Sequence, residues 1–244
     1  MKVLSFKNYQ SLSDFAATEI ANAIKNKPSL VLCLASGDTP KLTVELLVKK
    51  IKDQKIDHSA ITFIGLDEWV GLPPENTGSC HYFFQSKLIE PLQLKPSQYF
   101  LFNALANDLQ NECIEMDQVI DQKKGIDIML VGIGMNGHIG FNEPGSSFNN
   151  LSHVIELDEI TKSVGKKYFT EQVELSQGIT LGFKHLMNAG KVFLMANGIK
   201  KADVIKKTVD GPVTEDFPAS IMQKHQNGFV LIDEEAATLL SKTA

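Results

Sequence analysis

The sequence is poor in several features that would define a function class on their own. It has three cysteines and one tryptophan in 244 residues. Cys33, Cys80 and Cys113 are odd in number, far apart, and form no CxxC pair, so they read as reduced thiols rather than as a disulfide frame or a zinc site. No run approaches the ~18 consecutive apolar residues of a membrane span, and the opening MKVLSFKNYQ turns polar too soon for a secretory signal. Basic residues are scattered, with no cluster interleaved with aromatics, which excludes an extended nucleic-acid surface. These absences set the expectation of a cytoplasmic protein that engages no membrane and no nucleic acid.

What is present is an ordinary globular balance: 43% hydrophobic, 22% charged, and a net charge of −5. Any phosphate such a chain holds is one small group gripped locally. Short apolar runs alternate with amphipathic stretches. Residues 29–35, 61–66, 126–132, 191–196 and 228–232 read as strands, with 3–6 and 98–102 as weaker ones. Several are apolar at nearly every position, as in parallel strands covered on both faces. Leu12, Phe15, Ala16, Ile20, Ala23 and Ile24 mark a helix capped by Ser11 or Ser13. Thr39-Pro40 marks a second helix, with Thr39 as its cap. Residues 107–124 and 199–209 read as further helices. The alternation predicts a single domain over 1–244, an α/β fold with a doubly wound, mostly parallel Rossmann-like sheet and helices on both faces. In such sheets ligands bind beyond the carboxyl ends of the strands, which directs attention to the loops after Ala35, Leu66, Gly132 and Ala196.

The first of these loops, Ser36-Gly37-Asp38-Thr39-Pro40, joins a strand to a helix. Its amides and hydroxyls form either a phosphate cradle or a plain turn in which Thr39 only caps. It lacks the Gly-Lys-Ser/Thr of a Walker loop. The second places Asp67 and Glu68 at a strand end beside Trp69. A partly buried carboxylate there can act as a general base, or can simply cap the next turn. Neighbours on extended chain point opposite ways, so one of the two faces a ligand. The third, Gly132-Ile133-Gly134-Met135-Asn136-Gly137, matches GxGxxG. The following His138-Ile139-Gly140-Phe141-Asn142-Glu143-Pro144-Gly145 cannot start a helix, so a nicotinamide cofactor is rejected. What remains is a loop in which His138 and Glu143 form a natural proton-transfer pair. HExxH is absent, and no metal is expected.

Together, Leu66–Pro73 and Gly132–Gly145, supported by Ser36–Pro40, Lys166–Phe169, Gly198–Ala202 and Asp216–Ser220, resemble the glucosamine-6-phosphate deaminase (isomerase) family, related to 6-phosphogluconolactonases. The resemblance spans nearly the whole chain, and His138–Pro144 is its most specific part. It implies conversion of glucosamine 6-phosphate and water to fructose 6-phosphate and ammonia, with no cofactor. By motif, His138 would open the sugar ring, assisted by Glu143 and Asn136. Asp67 would move the proton between carbons 2 and 1. Ser36, Gly37, Asp38, Thr39, Glu68, Gly137, Lys167 and Lys201 would fall on the substrate-binding side, with Glu68 set back from the reacting atoms. Three positions depart from the family pattern: Asn136 where many members have Asp, Lys167 where Arg is typical, and Asp38 where a small residue is usual. The galactosamine 6-phosphate reaction, lactone hydrolysis and a non-catalytic sugar-phosphate sensor are the alternative readings. The family contains monomers and homo-oligomers. The short stretch after Leu240 implies no activation by N-acetylglucosamine 6-phosphate.

Overall fold

The computed structural model describes residues 1–169 and 174–241. Its centre is a seven-stranded, fully parallel sheet in the order β1-β10-β9-β6-β2-β3-β5. The strands are β1 (Lys2–Phe6), β2 (Val31–Leu34), β3 (Thr62–Gly65), β5 (Tyr99–Phe100), β6 (Ile128–Val131), β9 (Lys191–Ala196) and β10 (Gly228–Asp233). Each expected strand is present, trimmed by a residue or more at several of the ends. The two faces of the sheet carry separate cores, and alternate residues of one strand serve each. Leu32 and Leu34 of β2 belong to the core shared with α1 (Tyr9–Asn26) and α2 (Asp38–Asp53). Val31 and Cys33 belong to the other, where α5 (Leu109–Gln122), α7 (Phe183–Asn188) and α8 (Ala202–Asp210) pack. Continuous apolar runs are therefore what these strands require.

Several boundaries differ from the sequence reading. Asn8 caps α1, and Ser11 is its reciprocal partner three residues on: Ser11 N donates to Asn8 Oδ1 and Asn8 N donates to Ser11 Oγ. Gly37, not Thr39, precedes α2, because a φ of 106° lets the chain turn directly from β2 into the helix. The stretch 199–209 opens as a 3₁₀ turn (Ile199–Lys201) before α8.

A second sheet was not foreseen. β4 (Asp67–Trp69), β8 (Gln177–Thr180) and β7 (His153–Glu156) form an antiparallel ribbon, with Asp67 opposite Thr180 and Trp69 opposite Gly178. Asp67 and Glu68 thus lie on a strand and not in a loop. Beyond β4 the turns of residues 71–79 lead into α3 (Cys80–Phe84), which runs on through a π-helical turn to α4 (Glu90–Leu92). α6 (Glu159–Gly165) follows β7.

Candidate active site

The chain leaves β2 toward β3 on one side and returns through β6 to β9 and β10 on the other. The carboxyl edge at this reversal is where open α/β sheets bind ligands. A cavity of about 390 Å³ opens there, lined by the residues after β2 (Ala35–Lys41), Asp67, the start of the glycine loop, His138, Lys167 and Lys201.

The floor at β2 is the turn from Ser36 into the first turn of α2. Gly37 offers no capping side chain to α2; the Asp38 amide meets the Tyr168 hydroxyl, and Ser36 and Thr39 line the cavity beside this first turn. Tyr9 braces this turn from outside: its hydroxyl lies 2.8 Å from the carbonyls of Asp38 and Thr39 and accepts from Leu42 N. The chain contains no arginine, so its charge contacts to an anion rest on lysines. Lys201 Nζ donates to the Ile133 carbonyl at 2.6 Å. Burial, with Lys167 nearby, pulls its pKa down to about 8. Lys167 Nζ lies 2.6 Å from Asp38 Oδ2, and both groups are largely exposed. The Asp38 carboxylate is thus paired with a cation at the rim.

Asp67 lines the wall at the end of β3. Burial, reinforced by the adjacent Glu68 charge, raises its pKa to about 7, against a small lowering from the Cys80 thiol. Cys80 Sγ sits 3.7 Å from Asp67 Oδ1 and receives a hydrogen bond from Ser36 Oγ at 3.0 Å. Glu68 points the other way, into the protein, at 3% exposure. The alternation expected of extended chain holds at this pair.

Opposite lies the glycine loop. Gly134 N donates to the His138 carbonyl at 2.9 Å, and Gly134 must lack a side chain, because a Cβ there would fall 2.3–2.4 Å from the His138 ring. Glu143 is 3% exposed, accepts from Asn136 Nδ2 at 2.8 Å, and lies 3.4 Å from His138 Nδ1. Burial pushes the Glu143 carboxyl upward, but hydrogen bonds from His138, Thr161 and Asn136 outweigh it and hold it below the usual glutamate value. Asn136 Oδ1 also accepts from His138 N at 3.2 Å. A carboxylate on Nδ1 favours the tautomer protonated there, leaving Nε2 free to exchange a proton. Asn136, Gly137 and Glu143 stand behind His138 and outside the cavity lining. Gly137, with a φ of 86°, packs its Cα against the Phe217 ring.

Three groups stand at the site beyond the residues expected there. Thr161, 4% exposed on α6, places Oγ1 3.0 Å from His138 Nδ1. Cys80 contacts Asp67, although a lone thiol reads as inert. Tyr168 sets its hydroxyl against the Gly37 turn, 3.3 Å from where a Cβ would be.

A cavity at the carboxyl edge of a parallel sheet, where Asp67 and His138 meet the first turn of a helix, places the chain among the α/β proteins that bind small ligands at that edge. Residues 7–231 match the family described as glucosamine-6-phosphate isomerases/6-phosphogluconolactonase, and the chain belongs to that family. Glucosamine-6-phosphate deaminase 1 of Bacillus subtilis is 38% identical over 98% of this chain and 99% of its own. Glucosamine-6-phosphate deaminase of Oceanobacillus iheyensis is 40% identical over 97% of this chain and 95% of its own. A solved structure described as a monomeric glucosamine-6-phosphate deaminase superposes with a TM-score of 0.94 at 38% identity, covering 98% of this chain and all of the other. The 6-phosphogluconolactonase of Trypanosoma brucei, at 20% identity and a TM-score of 0.77 over 98% of each chain, shares the fold.

Proposed function

We infer that the chain is a glucosamine-6-phosphate deaminase, converting glucosamine 6-phosphate and water to fructose 6-phosphate and ammonia. The observation that carries the reading is the meeting of Asp67, His138 and the first turn of α2 in one cavity, in a chain 38–40% identical over its length to relatives of that name. That turn, Lys201 and Lys167 take the phosphate. His138 moves a proton at the ring oxygen and opens the pyranose, with Glu143 orienting the imidazole. Asp67 in its ionised form removes the carbon-2 proton of the open 2-amino aldehyde and returns it to carbon 1, while one proton of the amine passes to the carbon-1 oxygen. The product of that transfer is a ketimine at carbon 2. Water adds to it, and ammonia leaves as the ketone forms. The Asp67 pKa of about 7 suits a group that must both take and give a proton near neutral pH.

The test is ammonia release from glucosamine 6-phosphate beside galactosamine 6-phosphate. Turnover of the first is the expected result; turnover of the second alone would reassign the substrate, and inactivity on both would sink the reading. We further propose that the enzyme works in the cytosol, a reading supported by its three free, buried thiols. Like the relative described as monomeric, it is proposed to act as a single chain, which light scattering at working concentration will decide.

A further inference from the structure

Glu68 is a buried carboxylate that the deamination chemistry above does not use. It lies at 3% exposure, immediately after Asp67 in β4. Three backbone amides donate to it: Trp69 N and Cys80 N to Oε1, both at 2.9 Å, and His81 N to Oε2 at 2.7 Å. The last two are first-turn amides of α3, whose cap, Ser79, already accepts from Tyr82 N. Glu68 therefore completes the capping of α3 from another strand. That capping fixes Cys80, whose thiol is the hydrogen-bond donor to Asp67 among the described residues.

The two carboxyl groups are neighbours with unequal surroundings. Burial raises the Glu68 carboxyl above its ordinary value, and the amides of Cys80, His81 and Trp69 oppose that rise; at Asp67 burial meets a single long thiol contact and carries the value to about 7. The Glu68 charge adds to the rise at Asp67 although the two side chains point opposite ways, so the more fully hydrogen-bonded carboxylate keeps the charge and the other keeps the proton. Other titratable groups around Asp67 are Cys80 on α3 and Cys33 on β2, both thiols that burial pushes well up and keeps neutral. Across the cavity stand His138, Lys167, Lys201 and Asp38.

We propose that Glu68 is the positioning residue for Asp67: held ionised by three amides, it keeps the proton on Asp67 in the empty site and pins the Cys80 end of α3 against it. The inference rests on Asp67 being the base of the proposed deamination. Binding of a cationic 2-amino sugar would then offset the Glu68 charge and release the Asp67 proton when substrate is present.

The test follows the Asp67 and Glu68 carboxyl carbons of the whole protein by ¹³C NMR across pH, with Asp67→Asn for assignment. In the unmodified protein Asp67 titrates near 7, while Glu68 keeps its carboxylate signal through that range. In Glu68→Gln the Asp67 midpoint falls by about one unit, and the acid limb of kcat/KM falls with it. In Glu68→Asp, which keeps the charge on a shorter arm, the midpoint stays near that of the unmodified protein while kcat drops. An Asp67 midpoint that does not move in Glu68→Gln overturns the proposal. So does a Glu68 that takes up its proton together with Asp67 in the unmodified protein, a measurement that stands even if Glu68→Gln does not fold. The titration needs no turnover, so a protein that releases no ammonia defeats the deaminase reading alone. An acid limb that persists in Asp67→Asn removes Asp67 as the base and overturns the proposal with it.

Discussion

Lys167 and Asp38, 129 positions apart in sequence, meet at 2.6 Å at the mouth of the cavity. The sequence leaves Asp38 as an anion beside an anion cradle; the structure makes it the partner of a cation at the same rim. The pair is exposed and will be weak, so a phosphate competes with Asp38 for Lys167 at little cost. Asp38→Ala removes the competitor and the repulsion together. KM for the sugar phosphate is expected to fall by up to about fivefold, the range of an exposed ion pair. Raising the salt should shrink the difference, and steady-state kinetics at two ionic strengths will show it.

The pH profile of kcat/KM reports groups of the free enzyme. As the proposed base, Asp67 acts in its ionised form, and its value near 7 is expected to set an acid limb there. One unit below that midpoint about a tenth of the sites are active. As a proposed phosphate ligand, Lys201 acts in its protonated form, and its value near 8 is expected to set a basic limb. The predicted optimum is narrow and lies between the two. Lys201→Gln should raise KM and remove the basic limb while leaving the acid limb in place.

Asp67 also ties stability to pH. Its carboxyl is raised in the folded protein to about 7 from an ordinary 3.8, so the folded chain binds this proton more tightly than the unfolded one. The proton's contribution is fully present below the lower value and is lost as pH rises through the upper one. Asp67→Asn is expected to melt several degrees higher than the unmodified protein at pH 8 and to lose that advantage toward pH 4, a comparison thermal melts will make.

Thr161 couples α6 to the His138–Glu143 pair through one hydroxyl. Thr161→Val keeps the shape and deletes the hydrogen bond, so it should cost about 1 kcal/mol of stability. The kcat should fall by about tenfold or more as the imidazole loses a restraint. Thr161→Ser should recover most of the activity. Equal kcat in the three proteins would show that Thr161 does not orient His138.

Gly165 ends α6 against Trp69, where a Cβ would lie 2.6 Å from the indole edge. Gly165→Ala must displace either the ring or the helix. Overpacking of this kind costs about 1–3 kcal/mol, readable in urea denaturation, and KM should rise because α6 lines the cavity.

The central sheet was legible because strands covered on both faces need uninterrupted apolar runs, and Val31–Leu34, Ile128–Val131 and Val192–Ala196 supply them. The ribbon of β4, β7 and β8 was not. β4 is three residues long and two are carboxylates, so its strand character comes from pairing with β8 rather than from its composition. Asp67, His138 and Glu143 could be picked out because carboxylates and a histidine are conspicuous among glycines at strand ends. Their separation into a cavity rank and a supporting rank follows from contacts that sequence distance hides: Thr161 is 23 positions from His138, and Cys80 is 13 from Asp67. The cap of α2 is not legible, because Thr39-Pro40 imitates a helix start that the turn at Gly37 brings two residues forward.

Trp69 is the chain's sole indole. It sits 4.6 Å from Phe141 of the glycine loop and 6.0 Å from Phe169 beyond α6, with Gly165 against its edge. Three segments that form the cavity wall thus converge on one chromophore. The protein carries a built-in optical gauge: a shift in its ultraviolet emission on adding a sugar phosphate would time the movement of those segments without any attached dye.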